Sequence, residues 1–293
     1  MKKLLSDRKA ILLFTIPGLF LFLFVFVFPI LMTLGLSFTE WDMVKAPVFT
    51  GIQNYVKLFT EDVNFKTSIK NMIIILGGVL LIQIPVALII ALLLDRITKG
   101  SRLLKSAYFV PVLFSATAVG LLWKRVFDYK FGVINAVFKL LGMSYQQLWL
   151  SNPEQAIRAV IIPVIWCKLG YYVIIFYAGI KAIPKDYYEA SLLDGCNGIR
   201  ATTRITLPLL HNVINACLVL GAIGALREYP LIFALTAGGP FDSTTTLAMM
   251  MYNYAFKYHY VGYASAVAVV LVTVCLVTSF LINKIYPTKD IQY

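Results

Sequence analysis

The sequence predicts an all-α integral membrane protein of six transmembrane helices with both termini cytoplasmic, and three observations carry that prediction. Of 293 residues, 60% are apolar and only 14% charged, with a mean hydropathy of +0.81. A soluble domain is roughly 45–50% apolar and about 25% charged, so this chain cannot cover a globule with water-compatible groups. The apolar residues gather into runs close to the ~20 residues a helix needs to cross a bilayer. The net charge of +12 is spread unevenly between the connecting segments, which is how membrane helices are oriented. An ordinary enzyme core, a disordered chain, a collagen and a disulfide scaffold are all excluded.

The spans fall near 11–38, 69–94, 107–127, 156–181, 208–233 and 263–285, so residues 1–293 read as a single transmembrane domain. The first run begins like a signal peptide after MKKLLSDRK, but it is too long for one and no small-x-small cleavage site follows. It is expected to stay as a span. In the third, Pro111 and Gly120 interrupt the run, and Lys124 and Arg125 crowd its end. Six spans put both termini on one side, and that side carries most of the basic excess, including Lys2, Lys3, Lys99, Lys181, Arg200 and Lys284. Positive charge marks the cytoplasmic face, so the +12 is a topology signal and no nucleic-acid partner is expected.

Cys167, Cys196, Cys217 and Cys275 are scattered singly, without a CxxC or Cys/His spacing. Neither a metal site nor a disulfide framework is supported. His211 and His259 stand far apart, and no GxxxxGK[ST] occurs, so the chain carries no phosphate-binding loop of that kind.

Between spans four and five, residues 182–207 are too polar for lipid and too patterned for a linker. Pro184 and Asp186 signal a helix start, with the carboxylate at the positive end of the dipole. Gly195 signals its stop, and Pro208 suits the first turn of the next helix. Glu189-Ala190-Ser191, three residues, Gly195, nine residues, then Ile205-x-Leu207-Pro208 resembles the EAA motif of ABC importer permeases, with Ser191 in place of the second Ala. The stretch from Leu235 to Ala268, LTAGGPFDSTTTLAMMMYNYAF-x(5)-GYASAVA, is similar to the signature of carbohydrate-uptake permeases of the maltose and glycerol-phosphate type.

That resemblance implies the type I ABC importer permease fold, and the first of two non-identical membrane subunits. It implies a second homologous permease, two cytoplasmic ATPase subunits that hold the ATP and Mg, an extracytoplasmic solute-binding protein, and a bacterial cytoplasmic (inner) membrane. The chain itself is then no enzyme and holds no cofactor. Carried onto this sequence, Glu189, Ala190, Ser191, Asp194 and Gly195 form the ATPase-coupling segment: Glu189 supplies the charged contact, Ala190 and Ser191 permit close approach, and Gly195 allows the turn.

Ionisable residues within spans are functional candidates because they are costly there. Lys168 lies roughly 20 Å from the end of span four at 1.5 Å per residue, among the aromatic residues of WCKLGYY. By position relative to the coupling loop, Cys167, Lys168 and Tyr171, with Gly221, Gly224, Ala225 and Glu228 in span five, resemble the places where maltose-type subunits contact sugar. Small Gly221, Gly224 and Ala225 are expected to leave room for a larger or branched sugar. Arg227 and Glu228 are expected either to pair with each other or Lys168, or, in the case of Lys168 and Arg227, to meet an acidic oligosaccharide. Three alternatives have less support. An ABC permease for another small solute, glycerol phosphate or an amino acid, is the alternative, the amino-acid type being disfavoured by the GGP-x(3)-TTTL segment. A secondary transporter would need repeats and membrane carboxylates. A membrane-embedded sugar transferase would need a carboxylate or His cluster for a metal.

Overall fold

A computed structural model describes residues 8–97, 101–142 and 147–289. Lys2, Lys3 and Lys99, which contribute to the predicted orientation, lie outside them. Among the described residues, four helices are long and apolar enough to span a membrane: Leu12–Leu36, Val63–Arg96, Pro153–Ala182 and Val261–Ile285. Two further pairs meet the same test only as bent units, Leu103–Leu113 with Ala116–Val126 and Gly198–Leu209 with His211–Leu226. The protein is a multi-pass membrane protein. Its chain divides into two compact units, residues 1–62 with 250–270 and residues 63–249 with 271–293.

The bends correct two of the expected spans. In place of one helix over 107–127, the chain turns by 100° at Phe114 and Ser115. Ser115 explains the restart, because its hydroxyl accepts the amide of Ala118 at 3.2 Å and so caps the second helix. The fifth segment bends by 67° at Leu210. Its main helix then stops at Leu226, short of the expected 233, and Pro230 opens a separate helix to Thr236.

Four π-helical turns occur among the described residues, at Leu23–Val27, Val79–Gln83, Thr202–Thr206 and Asn253–Lys257. The first three each end two residues before a proline, Pro29, Pro85 and Pro208 respectively. A proline ring clashes with the carbonyl four residues earlier, which falls inside each of these three widened turns. The π turn moves that carbonyl aside, so these helices continue through the proline.

In the first unit the N-terminal helix is apolar on every side, and Phe20, Phe24 and Phe28 stack along it at 6.0 Å. A short hairpin follows, with Thr39 opposite Phe49 and Glu40 opposite Val48. Asn54, on the helix Gln53–Thr60, donates to the carbonyls of Ser37 and Thr39, both at 2.9 Å, and locks that helix to the chain leaving the membrane. Val261 and Gly262 donate their amides to the Trp41 carbonyl. A Cβ on Gly262 would stand 1.9 Å from the Thr39 carbonyl oxygen, so only glycine permits this approach.

In the second unit the helix Pro153–Ala182 is the most buried span, and Val160, Phe176 and Leu210 belong to the core around it. Without water in the bilayer, polar groups here must find partners inside the protein. Buried Asn71 donates to the carbonyls of Ser243 (2.8 Å) and Thr245 (2.9 Å), and Gln83 to that of Ile165 (2.7 Å).

Candidate functional site: an exposed loop helix and a buried ion pair

The polar segment after Pro153–Ala182 folds into a helix Lys185–Leu193. Its end has a Schellman arrangement: Gly195 adopts φ +69°, its amide donates to the Leu192 carbonyl (3.1 Å), and the Cys196 amide donates to the Ser191 carbonyl (2.8 Å). Ser191 is buried, and its hydroxyl donates to the carbonyls of Tyr188 (2.8 Å) and Cys196 (3.1 Å). It therefore fixes the helix end from inside, while Glu189, Ala190 and Asp194 are exposed. Glu189 makes no ion pair among the described residues.

Neighbouring helix ends hold the segment in place. The hydroxyls of Tyr188 and Thr206 lie 3.1 Å apart, Arg96 donates to the Thr202 hydroxyl at 3.1 Å, and Lys181 pairs with Asp95 at 2.7 Å. Past the last span, residues 286–289 fold back: Tyr286 stacks on His211 at 3.9 Å, and Asn212 and Lys289 exchange two hydrogen bonds. The loop is thus a projection tied to the helix ends by hydrogen bonds and an ion pair.

Within the membrane, Lys168 Nζ stands 2.6 Å from Glu228 Oε2, so the two expected ionisable residues form an ion pair. Their exposures differ: the Glu228 side chain is 5% accessible and that of Lys168 is 43%. Glu228 follows the end of His211–Leu226, where its amide donates to the Ala225 carbonyl and its own carbonyl accepts the Thr246 hydroxyl at 3.1 Å. The threonine-rich segment singled out in the sequence therefore fixes the backbone that presents the carboxylate.

Around the pair lies a cavity of about 10 Å³, lined by Val79, Gln83, Val164, Lys168, Tyr172, Gly221, Gly224, Ala225 and Glu228. That is about the space of one water, so the expected room for a larger sugar is not found at this place within the chain. A Cβ on Gly221 would already touch Val79 at 3.2 Å and Ile84 at 3.3 Å. Gly221 therefore serves close packing, whereas a Cβ on Gly224 would meet only the Tyr172 hydroxyl, at 3.9 Å. Cys167 is buried with its sulfur 3.8 Å from the Pro111 carbonyl and does not line the cavity. Tyr171 is 42% exposed, edge-on to Tyr172. Arg227 is exposed and makes no ion pair among the described residues, so Lys168 and Arg227 do not form a shared pair of free cations.

Sequence reasoning missed Gln83 and Asn71. Both could have been found, since an amide side chain inside an apolar run needs a partner just as an ionisable one does.

Residues 3–289 match the family described as "Binding-protein-dependent transport system inner membrane component". "Probable ABC transporter permease protein YesP" of Bacillus subtilis is 35% identical over 258 residues, covering 86% of this chain and 82% of that protein. "Multiple sugar-binding transport system permease protein MsmF" of Streptococcus mutans is 31% identical, with 93% of each chain covered. A solved bacterial ABC transporter "involved in the import of the acidic polysaccharide alginate" has a chain that superposes with a TM-score of 0.81 at 24% identity, covering 98% of both chains, and so shares the fold.

Proposed function

Because this chain belongs to the family of binding-protein-dependent transport system inner membrane components, we propose that it is one of two non-identical membrane subunits of an ATP-driven importer for a sugar or oligosaccharide. In this reading an extracytoplasmic solute-binding protein delivers the cargo to a bacterial cytoplasmic membrane. Two cytoplasmic ATPase subunits supply ATP and Mg chemistry, and residues 1–293 form one domain with six spans and both termini inside. The sugar assignment draws on MsmF, whose name states a sugar-binding transport system, and on the carbohydrate-type signature from Leu235 to Ala268.

One observation carries the coupling role. The helix Lys185–Leu193 presents exposed Glu189 and Ala190 from a capped, braced projection, and Glu189 is left without a charge partner among the described residues. A surface helix held this firmly, with a motif carboxylate outward, suits docking on an ATPase groove. The residues that shape it, Ser191 and Gly195, act by geometry.

The buried pair supports an uncharged cargo. Glu228 already balances Lys168, so a neutral sugar meets no excess charge there, and Tyr171 offers an aromatic face nearby. An acidic oligosaccharide is the second reading. It rests on exposed Arg227 and on the alginate importer of the same fold. Reconstitution with the partner subunits and binding protein, followed by sugar-stimulated ATP hydrolysis and labelled-sugar uptake, tests both readings. Stimulation by neutral oligosaccharides supports the first. Stimulation by uronates alone replaces it with the second, and stimulation by neither removes the sugar assignment.

A further inference from the structure

The first unit holds a cavity of about 420 Å³ that shares no residue with the Lys168–Glu228 cluster. We propose that it is a second, separate saccharide-binding site, one that takes an uncharged sugar ring. This deepens the reading above, because it assumes that the importer meets sugars. The volume lies within the range of about 300–1,000 Å³ typical of small-ligand sites.

Its walls combine two kinds of surface. Trp41, Tyr254, Tyr260 and Tyr263 supply aromatic faces. These suit the C–H faces of a pyranose, as large rigid rings that bury area at low entropic cost. Glu40, Gln53 and Lys57 supply the polar rim, able to accept from and donate to hydroxyls. Among the described residues none of these three makes a side-chain hydrogen bond or ion pair; Lys57 only lies over the Tyr263 ring at 5.6 Å. Their donors and acceptors remain available to a ligand.

Three of the four aromatic residues, in contrast, are fixed, while Tyr260 stands largely exposed. Trp41 Nε1 donates to the Lys45 carbonyl at 2.8 Å, and the hydroxyls of Tyr254 and Tyr263 both donate to Asp62 Oδ2, at 3.0 and 2.7 Å. With their polar atoms engaged, these rings contribute only their faces and edges. The pocket is therefore organised before any ligand arrives, which lowers the ordering cost of binding. Its charges also choose the ligand. Glu40 repels an anion, Lys57 repels a cation, and together they balance, so a neutral polyol ring fits the rim better than a phosphate, a uronate or a quaternary amine.

The test uses the complete importer in lipid nanodiscs without its binding protein. Saturation-transfer NMR is recorded with glucose, maltose, trehalose and diacetylchitobiose, with choline and glucuronate as charged controls. Transfer to at least one neutral sugar, absent for both controls, is expected. Affinity is expected to fall at least about tenfold, equivalent to about 1.4 kcal/mol, in Trp41→Ala and in Tyr260→Ala. The second variant guards against misfolding, since the Tyr260 side chain is largely exposed. No transfer to any neutral sugar, or unchanged affinity in Tyr260→Ala, overturns the proposal. Uptake of labelled sugar, measured separately with the binding protein present, keeps the two readings distinguishable. Uptake without pocket binding removes only this site, and pocket binding without uptake removes the importer reading while the site stands.

Discussion

The loop helix Lys185–Leu193 and the Lys168–Glu228 pair treat charge in opposite ways. On the loop, internal hydrogen bonds are made by Ser191 and by backbone, while Glu189 stands outward with no ion-pair partner among the described residues. In the membrane, Glu228 is buried and meets Lys168 at 2.6 Å. The first arrangement leaves a charge for another molecule to complete. The second is complete already, so a ligand there must join or displace an existing bond. A coupling role is therefore sensitive to what the surface offers, and a transport-path role to what the interior balances.

The largest expected effect breaks the first half of this contrast. Glu189→Lys reverses the outward charge, and Gly195→Asp places a side chain where φ is +69°, a region non-glycine residues rarely occupy. Uptake should fall to background in both, while insertion and yield stay at wild-type levels. Ser191→Ala separates surface from scaffold: it removes the bonds to the carbonyls of Tyr188 and Cys196 without altering the exposed face. Partial uptake with a lower thermal midpoint is expected. Uptake at full strength in Glu189→Lys would remove the coupling assignment.

Next in size is the buried pair. Breaking a fully buried pair by removing one partner costs about 3–5 kcal/mol, mostly because the other charge is left uncompensated, and with the Lys168 side chain 43% exposed the cost here is smaller. Glu228 is the more buried partner, so Lys168→Met should destabilise more than Glu228→Gln, whose leftover ammonium can reach a wetter environment. The double variant Lys168→Met/Glu228→Gln should recover much of the loss. Thermal unfolding in detergent, taken with sugar-stimulated ATPase rates, reads this order. Equal losses in the two single variants would mean that the asymmetry of burial carries no energetic weight.

These two regions also differ in how far the sequence disclosed them. The loop helix Lys185–Leu193 was legible because Pro184, Asp186 and Gly195 signal its start and stop on one short stretch of chain. Most span positions were visible for a similarly local reason, the length of apolar run a bilayer demands. The pair was only half visible. Lys168 and Glu228 announce themselves as ionisable residues in apolar surroundings, but their contact joins residues that no spacing rule relates. The break at Phe114–Ser115 and the stop at Leu226 depend on caps and packing that override hydropathy. Gly221 was misread as open space because a small residue signals either room or close approach, and only Val79 and Ile84 in place decide between them.

Asn71 offers a smaller test, on a neutral version of internal completion. It ties the carbonyls of Ser243 and Thr245 to the helix Val63–Gly78, and Thr246 in the same segment holds the Glu228 carbonyl. Asn71→Ala leaves two carbonyls without that donor, a loss of about 1–3 kcal/mol for an unsatisfied buried group. Beyond lower stability, transport should shift in its sugar concentration dependence, since the backbone presenting Glu228 loosens. Asn71→Asp should be worse, because a buried carboxylate cannot donate to the carbonyls and its charge would face their oxygens.

The smallest effect extends the contrast to an exposed charge completed by its own backbone. Asp42 Oδ1 accepts the amides of Lys45 (2.9 Å) and Val44 (3.0 Å), and these bonds, Lys45 first, hold its carboxyl below the ordinary value of 3.8. A depressed carboxyl contributes stability that is fully present above its unfolded value and is lost as pH falls through its folded one. Amide exchange at Val44 and Lys45 should therefore stay protected through pH 5 to 4, where ordinary carboxylates begin to protonate, and rise only at lower pH. Asp42→Asn keeps the oxygen acceptor but removes the titration, so its protection should be flatter across that range. A wild-type transition above the ordinary carboxylate value would show that these two amides do not hold the charge.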